Sequence, residues 1–116
     1  MKLALDSPSK QQPDNRAGIR IPAEWEPHDC CWMAWAVHAE WLDWVAPVKR
    51  ELTGVIRTIS QFEPVRLLTP LDELNDARAR FGGCNIEIIE APVDDIWMRD
   101  IAPTFALRRN EVIAID

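Results

Sequence analysis

Residues 91–105 read APVDDIWMRDIAPTF, and the fold and function predicted for the chain both depend on this stretch. The apolar run at 86–91 that leads into it predicts a buried strand. Pro92 and Pro103 bracket the segment between them, and a proline fixes its own backbone and restricts the residue before it. We therefore expect a shaped loop rather than a helix. A loop after a buried strand is where α/β proteins commonly place residues that contact ligands.

The side chains of this loop are suited to binding a guanidinium group. An aromatic ring attracts a cation, and a carboxylate accepts two parallel N–H bonds from a planar guanidinium. Trp97 and Asp100, three residues apart, could therefore stack against one guanidinium group and accept its hydrogen bonds. The structural alternative is that Arg99 pairs with Asp94 or Asp95 while Trp97 belongs to the core.

Two separate motifs resemble those of one enzyme family. Residues 94–105 (DDIWMRDIAPTF) resemble the signature of the agmatine deiminase family, which includes the Porphyromonas-type peptidyl-arginine deiminases, and residues 21–28 (IPAEWEPH) resemble its opening motif. The resemblance covers residues 18–116. It implies an α/β fold of the pentein type, an α/β propeller of ββαβ units in a pseudo-fivefold ring. Because such enzymes are several times longer, we expect an incomplete ring, with a disordered tail at 1–20 and the N-terminal portion of a pentein domain at 21–116.

The resemblance also assigns roles to the loop residues. It makes Asp100 a catalytic carboxylate that binds the substrate guanidinium, and it places Trp97 against the guanidinium and the alkyl chain. Asp94, Asp95 and Arg99 belong to the same motif and are expected to support the shape of the loop.

The activity implied is that of an agmatine deiminase, a hydrolase of putrescine biosynthesis. Such an enzyme converts agmatine to N-carbamoylputrescine and ammonia through a covalent thiouronium on a cysteine, without a metal or organic cofactor. One alternative is a peptidyl-arginine or free-arginine deiminase of the same family. The other is a non-catalytic α/β fragment that serves binding or interaction.

The cysteines and histidines of the chain do not match the catalytic positions of that family. The nucleophilic cysteine, the proton-shuttling histidine and a second carboxylate are expected downstream, so the chain is interpreted as truncated and inactive alone. The cysteines are expected to be small buried thiols, with a nucleophile near His28 as the less favoured alternative. A zinc site is not indicated, since the sequence has no Cys-x-x-Cys pair. The residues concerned are Cys30, Cys31, Cys84, His28 and His38.

Composition limits the partners. Thirteen Lys and Arg against nineteen Asp and Glu give a net charge of −6. This argues against nucleic acid or an anionic membrane and suits a cationic guanidinium small molecule. No apolar run approaches the roughly 20 residues of a membrane helix, and the apolar start is too short for a signal peptide, so a cytoplasmic location is expected. Unpaired strand edges of an incomplete ring predict self-association or pairing with the missing remainder of the fold.

The pattern between the two motifs predicts alternating strands and helices. Strand, helix, strand in succession predicts parallel strands with a right-handed crossover. The second helix is expected to begin with Thr69 as its N-cap and Pro70 at its first position, and to stop at Gly82–Gly83. Most of the six tryptophans are expected in the core or at interfaces, and residues 25, 26 and 28 are expected to pack beneath the site. The predicted elements are strands at 30–36, 65–68 and 86–91, a loop at 38–44, a helix from about 43–46 to 62, and a hairpin with arms at 104–107 and 112–115.

Overall fold

The computed structural model describes residues 18–109 and 111–115. They form two compact units, one made of residues 27–102 and the other of residues 18–26 with 103–109 and 111–115. The disorder expected for 1–17 lies outside the described residues, whereas residues 19–20 form a short strand instead of a tail. In chain order the elements are β1 (Ile19–Arg20), β2 (Cys31–Ala34), a 3₁₀ helix (Ala39–Trp44), α1 (Val45–Ser60), β3 (Val65–Thr69), a 3₁₀ turn (Leu71–Glu73), α2 (Leu74–Phe81), β4 (Ile86–Glu90), α3 (Met98–Ile101), β5 (Thr104–Arg108) and β6 (Glu111–Ile115).

The larger unit contains a three-stranded parallel sheet in the order β2-β3-β4. Cys31 pairs with Val65, and Val65 pairs with Ile86, so the three strands are aligned from their first residues. The parallel strands and the helices between them confirm the predicted succession of strand and helix.

The core of this unit lies between the sheet and the two longer helices. Trp35 and Phe81 are fully buried and meet edge to face, with ring centroids 5.2 Å apart. An apolar stripe at three-and-four spacing gives α1 one face to bury, and Ile56 at its centre is completely inaccessible. The core cluster comprises Trp35, Ile56, Val65, Leu67, Ala77 and Phe81.

A charged network joins α1 to α2 over the buried indole of Trp35. Lys49 Nζ lies 2.6 Å from the Glu73 carboxylate and 3.2 Å from that of Asp76. Arg80 Nε donates to Asp76 at 2.8 Å. The Lys49 and Arg80 cations lie 5.5 and 5.3 Å from the Trp35 ring centroid, which adds cation–π attraction to the ion pairs.

The predicted start of the second helix is wrong. Thr69 is the last residue of β3, and its carbonyl accepts the Ala91 N–H at 3.0 Å, so the residue is held in the sheet and does not cap a helix. Its hydroxyl donates to the Leu67 carbonyl, and Pro70 takes the position before the 3₁₀ turn that leads into α2. The predicted stop is confirmed, since α2 ends at Phe81.

The tryptophans were expected in the core or at interfaces, and the core accounts for few of them. Within the described chain, Trp35 is fully buried, whereas Trp25, Trp44 and Trp97 are 88%, 70% and 54% exposed. The exposed rings lie in loops or at the end of a 3₁₀ helix, outside the layer between the sheet and α1 and α2. Residues 39–44, expected as a loop, form that 3₁₀ helix, and the His38 side chain accepts the Glu40 N–H at its start.

The smaller unit is an antiparallel sheet in the order β1-β5-β6. β5 and β6 form the predicted hairpin. Ala106 of β5 pairs with Ile113 of β6, and the Ala106 side chain is buried. In the loop after β1, Glu26 accepts hydrogen bonds from the Ala23 N–H and from Arg20, which hold the pKa of its carboxyl below its usual value. No helix in the described residues is long and apolar enough to span a bilayer.

Candidate active site

Three chain segments leave the larger sheet at the same edge, where the parallel strands end. The Trp35 N–H donates to the Leu68 carbonyl at 2.8 Å just beyond β2, and the Ala91 N–H donates to Thr69 just beyond β4. The segments that follow β2, β3 and β4 therefore begin at one level. In open α/β sheets this carboxyl edge is where ligands bind.

The segment after β4 is irregular from 91 to 97, as predicted, and its own hydrogen bonds shape it. The Val93 N–H donates to the Ala91 carbonyl at 2.8 Å across Pro92. The Asp95 carboxylate accepts the N–H of Ile96 at 2.7 Å, so this half-buried side chain braces the turn. Asp94 beside it is exposed.

The loop prediction is wrong for the following residues, because α3 forms a single helical turn there. The Trp97 carbonyl accepts the N–H groups of Asp100 and Ile101 at 2.9 and 3.2 Å. Ala102 is extended, as expected of a residue before proline, and Pro103 follows it. The prolines therefore limit the helix to one turn without excluding it.

The turn presents Trp97 and Asp100 together at the surface. Trp97 stands immediately before α3 and is 54% exposed, which contradicts the alternative that it is a core residue. Asp100 lies within the turn and is exposed, as is Arg99. An accessible indole and an accessible carboxylate three residues apart on one turn can both contact a small cation.

The cysteines lie at the opposite edge, near the starts of the strands. Cys30 and Cys84 line one cleft of about 400 Å³ there, and all three cysteines are half-buried, not fully buried as expected. Burial, together with the nearby charge of Glu63, raises the pKa of the Cys31 thiol, which opposes formation of a thiolate. His28 Nε2 contacts the Glu63 carboxylate.

Two further expectations concern the opening motif and metals. Trp25 is largely exposed, so the expectation that it packs beneath a site is wrong. Within residues 18–109 and 111–115, no group of three His, Cys, Asp or Glu side chains is placed to hold a metal ion.

The segment after β2, for which the sequence predicted no site role, lines a pocket. Two tryptophans, Trp41 and Trp44, line a concavity of about 650 Å³ together with Glu40 and Asp43. We call it the Trp41–Trp44 pocket. The signal was present in the sequence as two tryptophans spaced by three residues and interleaved with acidic residues.

The chain matches the family described as Porphyromonas-type peptidyl-arginine deiminase over residues 20–116. It is 39% identical over 101 residues to the agmatine deiminase of Ectopseudomonas mendocina, covering 85% of this chain and 27% of that protein. It is 37% identical over 94 residues to the agmatine deiminase of Medicago truncatula, covering 80% of this chain and 25% of that protein.

Structural comparison gives the same result. The structure of the Enterococcus faecalis agmatine deiminase superposes with a TM-score of 0.78 at 31% identity, over 85% of this chain and 27% of that one. The chain therefore spans about a quarter of the length of the relatives that it matches.

Proposed function

The chain belongs to the Porphyromonas-type peptidyl-arginine deiminase family, and from that membership we propose that it forms the guanidinium-binding part of an agmatine deiminase. The reaction replaces one guanidinium nitrogen by oxygen, so that agmatine and water give N-carbamoylputrescine and ammonia. The observation that carries the proposal is the exposed Trp97–Asp100 turn at the carboxyl edge of a parallel sheet. The similarity to proteins named agmatine deiminase supports the choice of substrate.

The roles of the two side chains follow from the charge of the substrate. A guanidinium group remains protonated in proteins, so removing it from water is costly unless an anion accompanies it. In this proposal the Asp100 carboxylate accepts guanidinium N–H bonds and the Trp97 indole covers the flat face of the group. Asp95 holds the loop through its bond to the Ile96 N–H, and Asp94 and Arg99 help to maintain its shape.

The covalent steps need groups that we do not assign within this chain. A cysteine thiolate attacks the guanidinium carbon, ammonia leaves, and water then hydrolyses the thiouronium, which regenerates the thiolate. Cys31 is a poor candidate, since its pKa is raised by burial and by Glu63. We propose further that the chain is part of a pentein ring, that the remainder of the ring is its partner, and that the enzyme is cytoplasmic.

The test is a titration of the ¹⁵N-labelled chain with agmatine, followed through the indole N–H resonances. We expect the Trp97 resonance to move, and Trp97→Ala and Asp100→Asn each to weaken binding about fivefold, because each removes one of two modest attractions. Trp25→Ala and Glu111→Gln are matched controls, since both residues are exposed and lie in the smaller unit. Unchanged binding in both site variants would rule out the proposed roles.

A further inference from the structure

The Trp41–Trp44 pocket has a composition suited to an organic cation. Trp44 is 70% exposed and shares the lining with Trp41, while Glu40 and Asp43 supply two carboxylates. An indole face attracts an alkylammonium ion, and a nearby carboxylate can accept its hydrogen bonds and neutralise its charge. No Lys or Arg side chain lines the pocket, and outside the lining His38 Nδ1 lies 3.8 Å from the Glu40 carboxylate.

An apolar groove leads from this pocket toward the Trp97 turn. Trp44 and Val48 line both the pocket and the groove, which has a volume of about 490 Å³. Its other lining residues are Pro47, Glu51, Leu52 and Val55 of α1, and Ile96 from the segment after β4. Ile96 immediately precedes Trp97, so the groove extends from the acidic pocket to the residue next to the position proposed for the guanidinium.

Agmatine has the features that this arrangement would bind. It carries a guanidinium at one end, an ammonium at the other, and four methylene groups between them. An apolar wall between two anionic, aromatic positions matches this order of cation, hydrocarbon and cation.

We propose that the Trp41–Trp44 pocket binds the ammonium of a substrate whose guanidinium is held by Trp97 and Asp100, and that Glu40 and Asp43 thereby favour agmatine over arginine. The inference rests on the proposed function. Arginine carries a carboxylate on the carbon that bears its amine, and this anion would lie beside Glu40 and Asp43. Juxtaposed like charges disfavour a ligand, so the pocket discriminates by repulsion as well as attraction.

The decisive experiment uses two half-ligands and the ¹⁵N-labelled full chain. Butylammonium carries only the far cation, and methylguanidinium only the near one. We expect butylammonium to move the indole resonances of Trp41 and Trp44, and methylguanidinium to move that of Trp97. Trp97→Ala should leave the butylammonium response unchanged.

A double variant, Glu40→Gln with Asp43→Asn, tests the carboxylates. We expect it to weaken butylammonium binding at least about threefold and to leave methylguanidinium binding unchanged. Asp29→Asn with Glu111→Gln removes the same charge from two exposed residues outside the pocket and should have no effect. All four residues are exposed, so circular dichroism should show intact folding in both double variants.

Butylguanidinium, which lacks the far ammonium, completes the design. Agmatine should bind about threefold more tightly than butylguanidinium, and the double variant should abolish this difference. Equal binding of the two ligands, or a butylammonium response that survives the double variant, would overturn the inference. Failure of methylguanidinium to reach Trp97 while butylammonium still binds would instead refute the proposed function, and with it the assignment of the pocket to this substrate.

Discussion

Gly54 is a glycine inside a helix whose surroundings do not require a glycine. It lies in the interior of α1, where glycine costs about 1 kcal/mol relative to alanine. Two explanations are possible for a glycine there: close packing against a neighbouring element, or simple tolerance of the cost. A Cβ at this position would have no heavy atom within 4 Å, which identifies it as tolerance.

Gly54→Ala should therefore raise the free energy of unfolding by about 1 kcal/mol, because alanine loses less backbone entropy in a helix. Urea denaturation should show a higher midpoint with an unchanged slope. Gly83→Ala is the control of opposite sign, since Gly83 has φ +81° and alanine there should destabilise the protein by about 1 kcal/mol. A neutral or destabilising Gly54→Ala would mean that the packing interpretation is correct after all.

Burial of individual aromatic residues was the least predictable property. Trp35 and Trp97 are the same residue type, yet one is inaccessible and the other is half-exposed. The difference comes from tertiary position: Trp35 lies just beyond β2 under α1 and α2, whereas Trp97 precedes an isolated helical turn. Neither propensity nor spacing contains that information.

At the scale of elements, the ends of a helix were predicted well where its hydrophobic pattern runs over several turns. They were predicted wrongly where hydrogen bonds to a neighbouring strand determine where an element ends. The stripe on α1 predicted its start and end to within about two residues, as expected for a helix of several turns. The Thr69–Pro70 pair resembles a helix start, but the hydrogen bond from Ala91 extends β3 through Thr69. Such a bond joins residues far apart in sequence, so no local pattern reveals it.

The ion pairs between α1 and α2 make the stability of the larger unit depend on pH. Partial burial alone would raise the pKa of Asp76, but hydrogen bonds from Arg80 and Lys49 outweigh it and lower the pKa below the usual 3.8. The ionised carboxylate is thus favoured by folding. Its contribution is complete above the unfolded pKa and is lost as pH falls through the lower folded value.

Asp76→Asn should lower the free energy of unfolding by roughly 0.5–1 kcal/mol at pH 7, since Asp76 is partly exposed. The difference from the parent should shrink progressively below about pH 4, where the parent carboxylate becomes protonated. Denaturation curves at several pH values measure this. Asp72→Asn, in an exposed position nearby, is the matched control and should leave the free energy of unfolding at pH 7 unchanged. A difference that persists undiminished at pH 2 would exclude the ion pairs as its origin.

At the scale of the whole molecule, the motif predicted the location of the candidate site better than its local structure. The chain was expected to place Trp97 and Asp100 after a buried strand, and they do follow β4 at the carboxyl edge of the sheet. The helical turn and the neighbouring pocket were missed. Both depend on how the segments after β2 and β4 are arranged beyond the sheet, which spacing along the chain does not specify.

We expect this chain alone to release no ammonia from agmatine, because none of its cysteines or histidines matches a catalytic position of the family and burial raises the pKa of the Cys31 thiol. A coupled ammonia assay at high protein concentration is the measurement. The variant with all three cysteines replaced by serine separates the possible outcomes. Turnover that disappears in it would identify a nucleophile among Cys30, Cys31 and Cys84, and turnover that survives it would refute the thiouronium mechanism.

The attachment of β1 to its sheet has a consequence for how the smaller unit opens. Two residue pairs, Ile19 with Arg108 and Arg20 with Leu107, join segments separated by nearly all of the described chain. Closing so long a loop costs conformational entropy, and only these two residue pairs are available to offset that cost. Fraying should therefore begin at β1, whose amide protons should exchange with deuterium before those of the β5–β6 hairpin.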